Sequence, residues 1–380
     1  VRSDIIGASP DRGWAVRAHI PALQALPDYQ ITAVGTSREE SAREAARRFG
    51  AAHAFTDPRR LAEHPEVDLV AITVKVPAHA QLIQAVLEAG KHVYCEWPLA
   101  LTADDAETLV ELADNAAVHH TVGLQARYSP AIGHARELIA GGYVGRVTSA
   151  TVYAARGKGS GAQIPAWAAY TLDRGNGAGL LEVAGGHTLD TLEYLLGDIT
   201  ELSAELSIQR PRYTIEETHE DIEVTSPDQL LLNGTLTCGA VVSAHIHDAK
   251  VTDGRIRIEI AGTEGDLAIV SGPLGPGGVQ MSGLRLLGSR SPGGSWQELP
   301  IPDRYHWVPD AARNTEALNV AQLYSRLADD IRTGAHTTPD FETGLHIHRL
   351  LDTVRRSAET GNRQTLTGST NPRLTSPHNP

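Results

Sequence analysis

Between residues 3 and 124, short apolar runs alternate with segments of helical periodicity, and nothing else in the chain constrains the fold as much. Strands are expected over 3–7, 30–35, 67–74, 92–95 and 119–124, with helices over 15–25, 39–49, 79–89 and 103–115. Strand-then-helix repetition is the pattern of βαβ units, whose crossovers bring successive strands together in parallel. The run VDLVAITV at 67–74 is apolar throughout, as a strand must be when helices cover both faces.

The first strand leads into Gly7-Ala8-Ser9-Pro10-Asp11-Arg12-Gly13 and then a helix. A Rossmann loop needs a glycine at its tight turn, a small residue where backbone approaches a diphosphate, and a third where helix meets strand. Gly7, Ser9 and Gly13 fill those places, with one extra residue before the last. The free N–H groups of the following helix would face the diphosphate. At the end of the second strand an NAD site carries an acid for the ribose 2′-hydroxyl. Here Ser37 and Arg38 stand instead, and a guanidinium suits a 2′-phosphate. The expected cofactor is therefore NADP or NAD, with NADP favoured.

Beyond residue 145 the texture changes. Residues 147–155, two segments within 230–247, 255–261 and 266–270 read as strands, the last two joined by a turn at 262–265. The alternation suits a mostly antiparallel sheet with one face covered. Late helices are expected over 318–333 and 341–358. The fold class is α/β: an N-terminal Rossmann domain, then an α+β domain with a large open sheet. The expected division is 1–125 for dinucleotide binding, 126–364 for substrate and oligomerisation, and a flexible tail over 365–380. The Gly-rich stretches 157–161 and 271–295 read as loops.

A net charge of −13 argues against nonspecific binding to nucleic acid or an anionic membrane. With two cysteines, Cys95 and Cys238, the chain encodes neither a disulfide framework nor a zinc-ligand set. No run reaches the roughly 18–20 apolar residues of a membrane span. A cytoplasmic protein with no metal is expected.

The series of motifs resembles the Gfo/Idh/MocA family of NAD(P)-dependent oxidoreductases. It comprises the glycine loop, HIPAL at 19–23, the stretch 70–100 ending in CEWPLA, TVGLQARYSP at 121–130, GGHTLDTLEYLLG at 185–197 and IAGTEGDL at 260–267. It is closest to the subgroup that includes the yeast galactose-regulon repressor, which binds a dinucleotide yet regulates. The resemblance implies hydride transfer to or from a sugar- or cyclitol-like alcohol or ketone, with a dinucleotide-binding regulator as the alternative. It implies self-association through the large sheet, and a regulatory protein partner on the alternative reading.

The resemblance places the dinucleotide against Gly7, Ser9, Gly13, Ser37, Arg38, Val74, Lys75, His79, Glu96, Trp97 and Gln125. Substrate contacts would come from Trp97, Arg127, Tyr153, Trp167 and His187. The family's usual Glu-Lys-Pro is here Glu96-Trp97-Pro98, and its usual Asp four residues before the catalytic His is Val183, beside Glu182. An indole donates one N–H and stacks, whereas a lysine also exchanges a proton. His187 is retained as the candidate acid/base. Lys75, one of four lysines, is the candidate helper or a phosphate contact. Asp190, three residues beyond His187, either orients it or is structural. His245 and His247 share a sheet face and are expected to be structural or interfacial rather than metal ligands.

Overall fold

The structure, a computed structural model, describes residues 1–157, 161–272, 278–281, 283–313 and 315–366. Parts of the expected loops at 157–161 and 271–295, and most of the expected tail, lie outside the described residues. The chain divides into two compact units, one of Val1–Tyr128 with His306–His348, the other of Ser129–Tyr305 with the chain from Arg349 onward. Among the described residues no helix is long and apolar enough to cross a membrane.

The first unit is built on six parallel strands: β1 (Arg2–Ile6), β2 (Gln30–Gly35), β3 (His53–Phe55), β4 (Leu69–Ile72), β5 (His92–Glu96) and β6 (His120–Gly123). Their order is β3-β2-β1-β4-β5-β6, the doubly wound arrangement with its switch point between β1 and β4. All four residues of β4 are buried, as its unbroken apolar run requires. Between the strands lie α1 (Ile20–Ala25), α2 (Glu39–Phe49), α3 (Pro58–Ala62), α4 (His79–Glu88) and α5 (Ala103–Ala116). Helix α2 carries Glu39 and Glu40 in its first turn and Arg47 and Arg48 in its last, which complements its dipole, and it ends at Gly50 with φ 75°. The three-residue strand β3 was not anticipated, being too short to show a period.

The expected division at residue 125 is corrected. Residues 306–348 return to the first unit because the helix Leu318–Thr333 packs against α1. Val320, Leu323, Tyr324 and Leu327 join Leu23, Tyr29 and Tyr94 in one buried core.

In the second unit the strands are β7 (Val147–Ala155), β8 (Gln163–Ile164), β9 (Ile199–Ser207), β10 (Arg212–Ile215), β11 (Asp221–Glu223), β12 (Gln229–Leu236), β13 (Val241–His247), β14 (Arg255–Gly262), β15 (Asp266–Ser271), β16 (Leu284–Ser289), β17 (Gln297–Leu299) and β18 (Gln364–Thr365). Among the described residues, nine form one sheet in the order β17-β16-β15-β14-β7-β13-β12-β9-β18. It is antiparallel except where β7 runs beside β13. Burial alternates along β12, β13 and β14, so one face is covered and the other open. Strands β8, β10 and β11 make a small separate sheet over Ile164, Leu172 and Tyr213.

Candidate functional site

The C-terminal ends of β1, β2 and β3 surround a cavity of about 460 Å³ whose walls include Gly7, Ser9, Arg12, Ser37, Arg38 and Val74. Gly7 adopts φ +98°, and a Cβ there would lie 2.9 Å from both Thr73 Oγ1 and Val74 Cγ1. Only glycine fits, because the turn needs positive φ and backbone must pass close to the end of β4. The Gly7 N–H donates to Gly35 O and the Ser9 N–H to Gly7 O, so the loop is tied to β2 and to itself. Gly13 is also at positive φ, +104°. The helix then opens with a π-turn, Ala15–His19, before α1.

This arrangement fits a dinucleotide. The loop offers a side-chain-free wall, the cavity has the size of a small-molecule site, and Arg12 and Arg38 supply positive charge on its lining. Gln125, expected against the dinucleotide, is 1% exposed, and its Oε1 is buried without a partner. Such an atom is costly unless something bonds to it.

Glu96 sits at the end of β5 in a buried polar network. Its Oε1 faces His19 Nε2 at 3.0 Å and accepts from Tyr94 OH at 3.0 Å, while His19 Nδ1 lies 2.7 Å from Tyr324 OH. Gly123 makes room for this carboxylate: a Cβ there would be 2.7 Å from Oε1. Burial drives the Tyr94 and Tyr324 phenols well above their ordinary range, with the Glu96 charge adding to both. Trp97, beside Glu96, is almost fully buried with its ring 4.7 Å from that of His348.

His79 stands as a strut. Its Nδ1 lies 2.9 Å from Pro98 O and its Nε2 3.0 Å from Val74 O, and the neutral ring donates its one N–H to one of these carbonyls. Burial holds it below the usual imidazole range. It braces the loops that follow β4 and β5. Lys75 is exposed just after β4 at the start of the turn Val76–Ala78. Arg127 lies half-buried in the turn Gln125–Tyr128.

In the second unit, a π-turn at Leu181–Gly185 leads into the helix Gly186–Leu196, which carries His187. His187 is 2% exposed and its Nδ1 has no hydrogen-bond partner. Burial, with the Arg156 charge adding, pushes the imidazole down to about 3, so a ring expected to titrate near neutrality is held neutral. Thr191 Oγ1 donates to the His187 carbonyl. Because Nδ1 is unbonded, Asp190 does not orient the ring through that atom. Nor does Glu182 replace the family's aspartate. Its carboxylate accepts from the Gly179 N–H and pairs with Arg355 at 2.7 Å.

The structure separates one expected substrate contact, Tyr153, from His187. Tyr153 pairs across β7 and β13 with His245. Its OH meets His247 Nε2 at 3.2 Å on the open face, whereas Gly185, two residues before His187, packs on Leu230 from the covered face. Alternation along β7 therefore separates Tyr153 from His187. Trp167 is 57% exposed beside the small sheet. The histidine pair is structural in its contacts: His245 Nε2 meets Gln229 Oε1 at 3.0 Å and the two rings stack at 4.6 Å.

Sequence reasoning missed Arg12, Thr36, Ser41, Phe55, Asp57 and Leu61 on the cavity wall. Arg12 lay inside the loop that was read, but spacing rules address its small residues only. Phe55 and Asp57 follow the short strand β3 and carried no signal.

The description "oxidoreductase family, NAD-binding Rossmann fold" matches residues 2–124, and "Gal80p, C-terminal domain" matches 130–271. The 1,5-anhydro-D-fructose reductase of Ensifer adhaerens is 30% identical over 272 residues, covering 70% of this chain and 74% of the reductase. Dehydrogenase aclE of Aspergillus oryzae is 33% identical over 246 residues, 62% of this chain and 67% of aclE. The chain belongs to the Gfo/Idh/MocA family. Within the family it is also similar to the galactose/lactose metabolism regulatory protein GAL80 of Saccharomyces cerevisiae, 28% identical over 404 residues, 94% of this chain and 92% of GAL80. The crystal structure of a super-repressor mutant of that protein superposes with a TM-score of 0.84 at 26% identity, over 96% of this chain and 97% of the other.

Proposed function

We propose that this family member transfers hydride between a nicotinamide dinucleotide and a sugar- or cyclitol-like alcohol or ketone. The carrying observation is His187, 2% exposed with an unbonded Nδ1, in a chain whose glycine-loop cavity fits a dinucleotide. When bound, the nicotinamide supplies or accepts the hydride. A neutral imidazole takes the proton of a substrate hydroxyl during oxidation and returns it to a carbonyl oxygen during reduction, at Nδ1. Trp97, Arg127 and Trp167 are the substrate-side contacts on this reading, and Lys75 is the cationic helper. The reductase and dehydrogenase names among the relatives support this class of reaction.

NADP is the preferred cofactor on this reading. Arg12 and Arg38 both line the cavity, and no carboxylate follows β2 at the usual position. Calorimetric titration with NAD, NADH, NADP and NADPH ranks them. Arg38→Ala should weaken NADP at least ~10-fold more than NAD, a 2′-phosphate contact being charge-assisted. Equal losses would reverse the assignment. The protein is further proposed to act in the cytoplasm and to self-associate through the open face of the nine-stranded sheet.

Turnover is tested with polyols and keto-sugars under both cofactors. His187→Ala should abolish it while dinucleotide affinity stays within about twofold. A second reading, a dinucleotide-binding regulator, is favoured by the missing lysine at Trp97, the missing acid at Val183 and the similarity to GAL80. Tight dinucleotide binding without turnover on any substrate would decide for it.

A further inference from the structure

Away from the dinucleotide cavity, three ligand-type side chains converge at the edge of the parallel sheet. His53 opens the edge strand β3; His64 and Glu66 lie on the turn between α3 and β4. One ligand atom from each of the three lies within 4.8 Å of the others. His53 Nε2 is 2.6 Å from Glu66 Oε2, and the His53 and His64 ring centroids are 4.2 Å apart. The Glu66 N–H donates to His64 Nδ1 at 3.3 Å, a long bond that His64 gives up on binding an ion, either to free the Nδ1 lone pair or to move the ring proton there and free Nε2. Arg2, the nearby cation, is engaged bidentately by Asp68 instead of Glu66.

We propose that His53, His64 and Glu66 form a binding site for a zinc-class divalent transition-metal ion. Two imidazoles and one carboxylate are a three-ligand zinc set with a fourth position open to water. The mixed nitrogen and oxygen donors argue against magnesium or calcium, which take oxygen alone. Zinc bonds of about 2.0–2.1 Å in a tetrahedron set donor atoms roughly 3.3 Å apart. The His53–Glu66 pair at 2.6 Å and the limit of 4.8 Å across the set lie on either side of that value, so small side-chain rotations would bring the three donors to it. His53 and Glu66 side chains are 32% and 55% exposed, so an ion enters directly from solvent. Once bound, it ties the edge strand to the turn ahead of β4, across the segment whose Phe55, Asp57 and Leu61 wall the cavity.

The test is calorimetric titration of the full chain with zinc chloride, beside His64→Ala and Glu66→Gln. Seventeen histidines give a background of weak sites, so the variants supply the reading. One strong site is expected in the wild type, weakened at least ~10-fold in each variant, since loss of even an outer-shell partner costs that much. Zinc should also raise the melting temperature of the wild type more than that of either variant, while all three melt together in EDTA. Absence of a strong site, or equal zinc affinity in wild type and variants, would overturn the assignment. A variant that melted early in EDTA would leave the other, with His53→Ala, to decide.

Discussion

Gly7 shows how a single residue connects backbone geometry to binding. Its φ of +98° is costly for any L side chain, and its missing Cβ keeps Thr73 and Val74 in place. Gly7→Ala should therefore destabilise by about 1–3 kcal/mol and weaken dinucleotide binding at least ~10-fold, read by melting and calorimetry. Wild-type affinity in a folded variant would mean the dinucleotide does not approach this loop. Asp4 shows the opposite case, an unfavourable residue in the middle of β1. It is fully buried, its Oδ2 has no partner, and burial raises its carboxyl well above the usual range. A raised folded pKa means that stability is fully present below the unfolded value and is lost as pH rises through the folded one. Asp4→Asn should thus stabilise by about 1–3 kcal/mol at neutral pH and leave stability unchanged near pH 3, by urea unfolding. Individual residues were legible in the sequence where backbone chemistry demands a type. Gly7 and Ser9 are such positions, and they line the cavity together with Arg38, which was legible by its charge. Tyr153 was misplaced because period-two alternation says which residues share a face, not which face the helices cover. His79 is a ligand contact in the sequence reading, and the structure sets its ring between the carbonyls of Val74 and Pro98, which follow β4 and β5, a pairing that only the sheet order brings about.

At the scale of elements, strands and helices of the first unit were readable because buried parallel strands are continuous apolar runs. Their local irregularities were not. Both helices that lead from a candidate site begin with a π-turn, Ala15–His19 and Leu181–Gly185. A wide turn accommodates one extra residue without shifting the helix beyond it, and the first of these begins two residues after Gly13, downstream of the additional residue in the glycine loop. Equally hidden was the row of imidazoles joining β5 to β6. His92 and His119 lie 5.2 Å apart and His119 stacks on His336 at 4.5 Å. Burial first, and then His119, push His92 down to about 4, with Asp68 pulling the other way. His119 is lowered by burial and His336, with Asp330 opposing. A depressed folded pKa gives stability that is present above the unfolded value of 6.5 and lost as pH falls toward about 4, because the unfolded chain binds the proton first. Urea midpoints should fall across that window, and His92→Gln should flatten part of the slope. An unchanged slope would place the acid sensitivity elsewhere, His187 being the next candidate.

For the whole molecule, the open face of the nine-stranded sheet is the feature that local reasoning least explains. A sheet of this width covered on one side leaves a broad flat surface. Along it Leu231 faces His245, Val241 faces Thr235, and Ser243 faces Asn233. Leu231 and Val241 are 42% and 56% exposed, and Trp296 lies under the Arg257 guanidinium near the far edge. Scattered apolar residues among small polar ones make a surface that tolerates water yet gains from losing it, as partly polar subunit interfaces do. Net charge works against contact between copies: each chain carries −13, and that repulsion is screened within about 8 Å at physiological salt. Association should therefore strengthen with added salt, the reverse of an interface held by ion pairs. Sedimentation at physiological ionic strength should give a mass at least double the 40.6 kDa of one chain. Val241→Asp combined with Leu231→Asp buries charge at the centre of that face, and should shift the protein to the single-chain mass while its melting temperature and dinucleotide affinity stay near wild type. A wild type that sediments as one chain at every concentration and salt would refute association. A double variant that stays assembled would move the interface to another surface.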